Sequence, residues 1–94
     1  MEKYCIVRCD RAGVFAGNVV AQNGQEVTME NARRLWRWDG ATECIGLATS
    51  GTKKPTQCRF TVTVPEITVL DAIEVIPCTA EAEASIKGVA EWKA

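Results

Sequence analysis

Residues 30–40, Glu-Asn-Ala-Arg-Arg-Leu-Trp-Arg-Trp-Asp-Gly, hold the residues best suited to chemistry. Three of the chain's six arginines (Arg33, Arg34, Arg37) and two of its three tryptophans (Trp36, Trp38) fall within six positions. An arginine fork binds phosphate oxygens in bidentate fashion. An indole offers a broad face for stacking a base and an N–H that needs a partner. The combination suits a nucleotide or a nucleic-acid strand. The structural alternative is that Leu35 and Trp36 are core while the arginines form a solvated face or pair with Glu30 and Asp39. Arginine and tryptophan are also the residues that dominate protein–protein hot spots.

How the arginines are presented depends on the element that carries them. Ala, Arg and Leu favour a short helix, capped by Thr28 or Asn31 and ended by Gly40. At about 100° per residue, Arg33, Arg34 and Arg37 then share one arc, opposite Ala32, Leu35 and Trp36. Read as a strand, the segment instead puts Arg34, Trp36 and Trp38 on one face. The helix is the expectation taken forward.

Around this stretch the chain predicts one α+β domain over residues 1–94: five or six mostly antiparallel strands and two or three short helices. Residues 3–9 read as a central strand, with Cys5, Val7 and Cys9 on one face and Tyr4 and Ile6 on the other. A second strand covers 14–21, where Gly13 and Gly17 bracket Phe15 and point to a bend or a close backbone approach. Such a pair could admit a ligand to the backbone beside Phe15, although it is neither a dinucleotide fingerprint nor a P-loop. Asn23-Gly24 is a two-residue hairpin signal leading into a strand at 25–29.

Helical spacing recurs at 42–50, with Thr42 as cap and Gly51 as stop. Lys53 and Lys54 follow in a polar loop, where they could add charge to a phosphate pocket. Residues 58–64 alternate, with Phe60, Val62 and Val64 inward and Arg59, Thr61 and Thr63 outward. Pro65 indicates an edge or a bulge, Ile67–Leu70 extend or begin a strand, and Ile73–Ile76 form the last one. Thr79 caps a helix over 80–87 that Gly88 ends. Trp92 folds back onto the sheet, or covers a ligand or partner.

The net charge of −1 is uneven. Residues 1–65 carry nine basic and six acidic side chains, and 66–94 carry two and six. A basic patch on a neutral molecule favours a compact anion over a duplex, which needs a broader positive field. Five cysteines without C-x-x-C spacing, in a chain without histidine, argue against zinc and for reduced thiols used as small apolar residues. No cofactor or metal is expected. Missing histidine also removes the usual general base, so an enzyme is the least supported class. With no long apolar run and no opening signal segment, a soluble cytoplasmic protein is expected.

Gly13-Val14-Phe15-Ala16-Gly17, Asn31-Ala32-Arg33-Arg34-Leu35-Trp36, Trp38 and Gly40-Ala41 resemble a family of small bacteriophage and prophage proteins of unknown function. Leu47-Ala48, Gly51, Pro55, Cys58, Glu74, Ser85-Ile86 and Trp92 fit the same family, and Ala-Arg-Arg-Leu-Trp is its most specific part. The resemblance supplies no catalytic residue. It implies an accessory protein acting in an infected bacterial cell. Several unrelated small phage proteins sequester nucleotide immune signals as homo-oligomers with pockets of arginines and aromatics, and the cluster here is similar in chemistry.

The expected function is therefore capture of an anionic, nucleotide-derived molecule such as a cyclic nucleotide or an ADP-ribose compound. Arg33, Arg34, Arg37, Trp36, Trp38, Arg59, Lys53, Lys54 and Phe15 are the expected site. The alternatives are an interaction module against a host protein and a single-strand nucleic-acid binder. A homo-oligomer is expected because so short a chain has little room for an enclosed pocket.

Overall fold

A computed structural model describes residues 3–41 and 43–92. Strands β1 (Lys3–Cys9), β2 (Val14–Asn23) and β3 (Glu26–Arg37) form an antiparallel meander. Helix α1 (Cys44–Ser50) follows, then a 3-10 turn at Pro55–Gln57 and the two-residue strand β4 (Arg59–Phe60). Strands β5 (Val64–Val69) and β6 (Ala72–Pro77) precede helix α2 (Ala80–Lys87). The sheet runs β4-β3-β2-β1-β6, and β5 pairs with the same edge of β3 that β4 occupies further along. The α+β architecture read from the sequence holds: six strands, antiparallel throughout, with two α-helices.

Strands β5 and β6 lie at opposite edges of the sheet, yet only Leu70 and Asp71 separate them in the chain. The sheet must therefore curl on itself at that end. Asp71 fixes the closure: its carboxylate accepts the Arg11 and Ala12 N–H groups at 2.6 and 3.3 Å. Its carbonyl takes the Asp10 N–H at 2.9 Å. The concave face buries Cys5, Val7, Phe15, Val27, Met29 and Val69. The other face packs Tyr4, Ile6, Leu35 and Phe60 against Leu47 of α1 and Ile86 of α2.

The Arg/Trp segment is not a helix but the second half of β3, a correction to the sequence reading. Its helix propensity amounts to a few tenths of a kcal/mol per residue. Against that, the β2–β3 hairpin, whose turn is Gly24-Gln25 rather than the expected Asn23-Gly24, lays this segment along β2, while β4 and β5 hydrogen-bond its other edge. A strand paired on both sides outweighs so small a bias.

Two irregularities in β3 decide where its side chains go. The first inserts an extra residue at Asn31–Ala32 opposite Gly17, with Asn31 at φ 51°. Asparagine tolerates this left-handed conformation better than most residues. The bulge presses Ala32 onto β2: a Cβ at Gly17 would lie 2.7 Å from the Ala32 Cβ, so Gly17 is required. The second falls at Trp36, between the pairs Leu35↔Phe60 and Arg37↔Arg59.

Strand β4 is shorter than the alternation over 58–64 predicts. The Thr61 carbonyl accepts the Arg33 Nε–H at 2.9 Å, and the Thr61 hydroxyl instead accepts the Arg34 N–H at 2.8 Å. The ladder stops there, and Val62, expected inside, is 55% exposed. Pro65 sits in β5 on the edge of the sheet, where its missing N–H costs no ladder bond. In α2 the Thr79 hydroxyl accepts the Ala82 N–H at 3.1 Å, and Gly88 follows the last turn. In α1 the Glu43 carboxylate accepts the Ile45 N–H, and Thr42, the expected cap, lies outside the described residues.

All five cysteines are unbridged, and four of them are buried as small apolar side chains. Burial pushes the Cys78 thiol up from 9.0 to about 12 and the Cys9 thiol to about 11, the latter helped by the Asp71 carboxylate. Both are neutral at pH 7 and poor nucleophiles. Between pH 9 and about 11–12 the folded state keeps these protons while the unfolded chain has lost them. Stability should therefore be full below pH 9 and decline as pH rises through that window. Urea titrations at pH 7, 9.5 and 10.5 measure this; a midpoint that holds through pH 10.5 would contradict it.

Candidate functional site

Strand β3 sends its arginines to different places. Arg33 points into the helix-covered core and is 4% exposed. Its Nη1 donates to the Ile86 and Val89 carbonyls at 3.0 and 2.7 Å, and its guanidinium lies 5.4 Å from the Phe60 ring centre. These carbonyls close the C-terminal end of α2, where a cation also opposes the helix dipole favourably. Burial lowers the Arg33 pKa, while Tyr4 and Glu91 oppose the shift. Most of this guanidinium serves the fold.

Arg34, one residue on, stands on the opposite face of the sheet. It lies 4.9 Å over the Phe15 ring, beside a hollow of about 150 Å³ that also involves Val64 and Ile67. Trp38 is half-buried against the helix-side core, in a separate depression with Val14 and Cys44. Phe15 and Arg34 thus share one hollow, and Trp38 stands in another.

Arg37, Trp36 and Arg59 do come together. The pairing of β3 with β4 sets Arg37 directly across from Arg59. Beyond α2 the chain returns to β4: Glu91 bridges Phe60 in parallel, and the Trp92 N–H donates to the Phe60 carbonyl at 2.9 Å. This brings Trp92 against Trp36 edge to face, with ring centres 5.0 Å apart at 73°. The Arg59 guanidinium lies 5.3 Å from the Trp36 ring centre and 5.1 Å from that of Trp92. Both indoles stay open to solvent, at 45% and 41%.

Beside this cluster is a recess of about 370 Å³ lined by Arg37, Asp39, Thr56, Gln57, Arg59 and Trp92. Neither arginine forms an ion pair among the described residues. Two like charges directly opposite on adjacent strands repel, and among the described residues Asp39 is the one carboxylate lining the recess. An anion between the two guanidiniums would relieve that repulsion.

The floor of the recess is fixed by the loop after α1. The Thr52 hydroxyl donates to the Asp39 carbonyl and accepts the Lys54 N–H at 3.0 Å. Gly40 at φ 83° lets this loop close: a Cβ there would lie 2.6 Å from the Lys54 nitrogen. Lys53 and Lys54 are exposed on the same loop, but their side chains are not part of the recess wall.

Trp92 folds back onto the sheet, as the sequence led us to expect, but its aromatic partner was not legible. Nothing local in the sequence pairs it with Trp36, 56 positions earlier. Thr56 and Gln57 carry no signal beyond lying in a polar loop.

The fold and this surface define a small α+β domain with a paired-arginine recess flanked by two open indoles. The chain belongs to the family described as a domain of unknown function, DUF6948, whose model matches residues 2–86. The comparison with curated proteins found no match, and neither did the comparison with solved structures. Among the described residues, no helix is long and apolar enough to cross a membrane.

Proposed function

We propose that this protein binds a compact, nucleotide-type anion in the Arg37–Arg59 recess and sequesters it. The observation that carries the reading is the cross-strand pair Arg37↔Arg59, two cations without ion-pair partners among the described residues, next to the half-open rings of Trp36 and Trp92. The guanidiniums would take phosphate oxygens. A base would stack on the open face of an indole. The recess is at the lower end of the size range of small-ligand sites. The reading is one of binding rather than turnover, supported by the lack of histidine and by thiols that burial holds neutral.

If the resemblance to phage and prophage proteins reflects origin, the activity would belong to the cytoplasm of an infected bacterium, and the ligand would be a cyclic-nucleotide or ADP-ribose-type immune signal. A site this open on one chain is consistent with completion by a second copy. The exposure of both indoles also favours a second reading, a hot spot for a host protein.

Intrinsic fluorescence tests the site itself. Nucleotide stacking on Trp36 or Trp92 should quench emission in a saturable way, leaving the Trp38 contribution. Arg59→Ala should weaken the binding about tenfold or more, the effect of losing one charge-assisted hydrogen bond. Quenching that survives undiminished in both Arg37→Ala and Arg59→Ala would end this reading. Affinity for any single strand, falling steeply with salt, would instead indicate nucleic-acid binding.

A further inference from the structure

A second hollow lies on the helix-covered face, where α2, the start of β1 and the Asn31 bulge meet. Its volume is about 260 Å³, and its lining is Tyr4, Asn18, Asn31, Arg33, Thr63 and Lys87. Among the described residues no carboxylate lines it, although the charges of Glu83 and Glu91 reach Tyr4 and Arg33. Tyr4 and Arg33 are 5% and 4% exposed, yet each keeps a polar group without a hydrogen-bond partner among the described residues. The guanidinium bonds of Arg33 use Nε and Nη1, and Nη2 has no hydrogen bond among the described residues. The Tyr4 hydroxyl has none either among the described residues, and the Lys87 ammonium lies 5.0 Å from the centre of its ring. Yet no fully enclosed side-chain polar atom among the described residues goes unpartnered. Neither tip is therefore fully enclosed, and both residues line the hollow.

Asn31 supports the same reading. It is the one non-glycine with positive φ among the described residues. Glycine would satisfy that backbone at no steric cost; asparagine adds an amide to the wall of the hollow. Two donors without protein partners among the described residues, with two amides and a lysine beside them, describe a wall suited to an acceptor.

We propose that this hollow is a binding site, separate from the Arg37–Arg59 recess, for the phosphate or carboxylate group of a small metabolite. The Tyr4 hydroxyl and Arg33 Nη2 donate to the anion from the buried side. The Asn18 and Asn31 amides bond it along the wall. Lys87, held by Glu83 one turn back, completes the charge from the solvent side.

Two substitutions test this without disturbing the fold. Tyr4→Phe removes a hydroxyl with no hydrogen bond among the described residues, and Asn31→Gly suits a backbone at φ 51°. Both should melt close to wild type. Amide-resolved NMR titrations with inorganic phosphate and with acetate, at constant ionic strength, provide the readout. Saturable shifts are expected at the Asn18 and Asn31 side-chain amides and around Lys87. A response to phosphate alone assigns a phosphate ester, and one to acetate alone assigns a carboxylate; either supports the site. Affinity should fall about tenfold in Tyr4→Phe, fall also in Asn31→Gly, and stay unchanged in Arg37→Ala. Shifts that sodium chloride reproduces, the lack of a saturable response to both probes, or an affinity lost in Arg37→Ala but kept in Tyr4→Phe would overturn it.

Discussion

Arg33→Ala is expected to destabilise the fold by about 3–5 kcal/mol, more than any other single arginine replacement. The side chain bonds three carbonyls, those of Thr61, Ile86 and Val89, from a position 4% exposed. Truncation leaves the Ile86 and Val89 oxygens without that donor at the end of α2, and a buried unsatisfied acceptor costs about 1–3 kcal/mol. It also releases the 61–63 connector, which Arg33 holds through the Thr61 carbonyl. A domain of this size has about 5–15 kcal/mol of total stability, so the variant should melt lower by on the order of 15–30 °C. Arg33→Lys keeps the charge but offers a single nitrogen, and should recover only part of the loss. Circular dichroism melts decide this. A melting point for Arg33→Ala within a few degrees of wild type would mean that α2 does not depend on this contact.

Phe60→Ala is expected to cost about 3–5 kcal/mol as well, through cavity formation. Phe60 is completely buried between Leu35 and the helices. It pairs with Leu35 of β3 and also receives the Trp92 N–H. Because the Arg33 guanidinium lies over its ring, the two losses share a contact. The double variant should therefore lose less than the sum of the singles, by about 0.5–3 kcal/mol. Where the doubly substituted protein does not fold, Phe60→Leu with Arg33→Lys gives the same cycle at smaller amplitude. Strict additivity would show that the cation and the ring contribute independently.

Much of the frame was legible from the residues. The turn signal at Gly24, one residue off in register, the β-branched and aromatic content of β1 and the Thr79 and Gly88 signals around α2 each specify an element locally. Gly17 and Pro65 were legible as a close approach and an edge, because a missing Cβ and a missing N–H restrict where a residue can stand. The half of β3 that carries the arginines was not legible. Its composition is that of a helix, and the pairing on both of its edges comes from segments distant in sequence. The same long-range pairing separates Arg33 from Arg34, since neighbours in a strand face opposite ways. A helix would have kept Arg33, Arg34 and Arg37 together. The strand keeps Arg37 and brings it Arg59 from β4 and Trp92 from the end of the chain.

The bulge at Trp36 matters for the same reason. By holding two residues of β3 against one of β4, it leaves the indole on the surface rather than in the core. What the sequence presents as one cluster is thus three structural situations. Arg33 is an internal clamp, Arg34 covers Phe15, and Arg37 with Trp36 forms the exposed patch.

The most direct test of that patch is a thermal-shift screen of the whole protein against linear and cyclic mono-, di- and trinucleotides and ADP-ribose derivatives, run beside Arg59→Ala. A ligand present at 100 times its dissociation constant stabilises the folded state by about 2.7 kcal/mol. The predicted result is a rise of several degrees for one nucleotide-type compound, absent in an Arg59→Ala protein that melts like wild type without ligand. A flat screen on well-folded protein, or a shift that Arg59→Ala retains in full, would contradict the account and leave the Trp36–Trp92 surface to be tested as a protein interface.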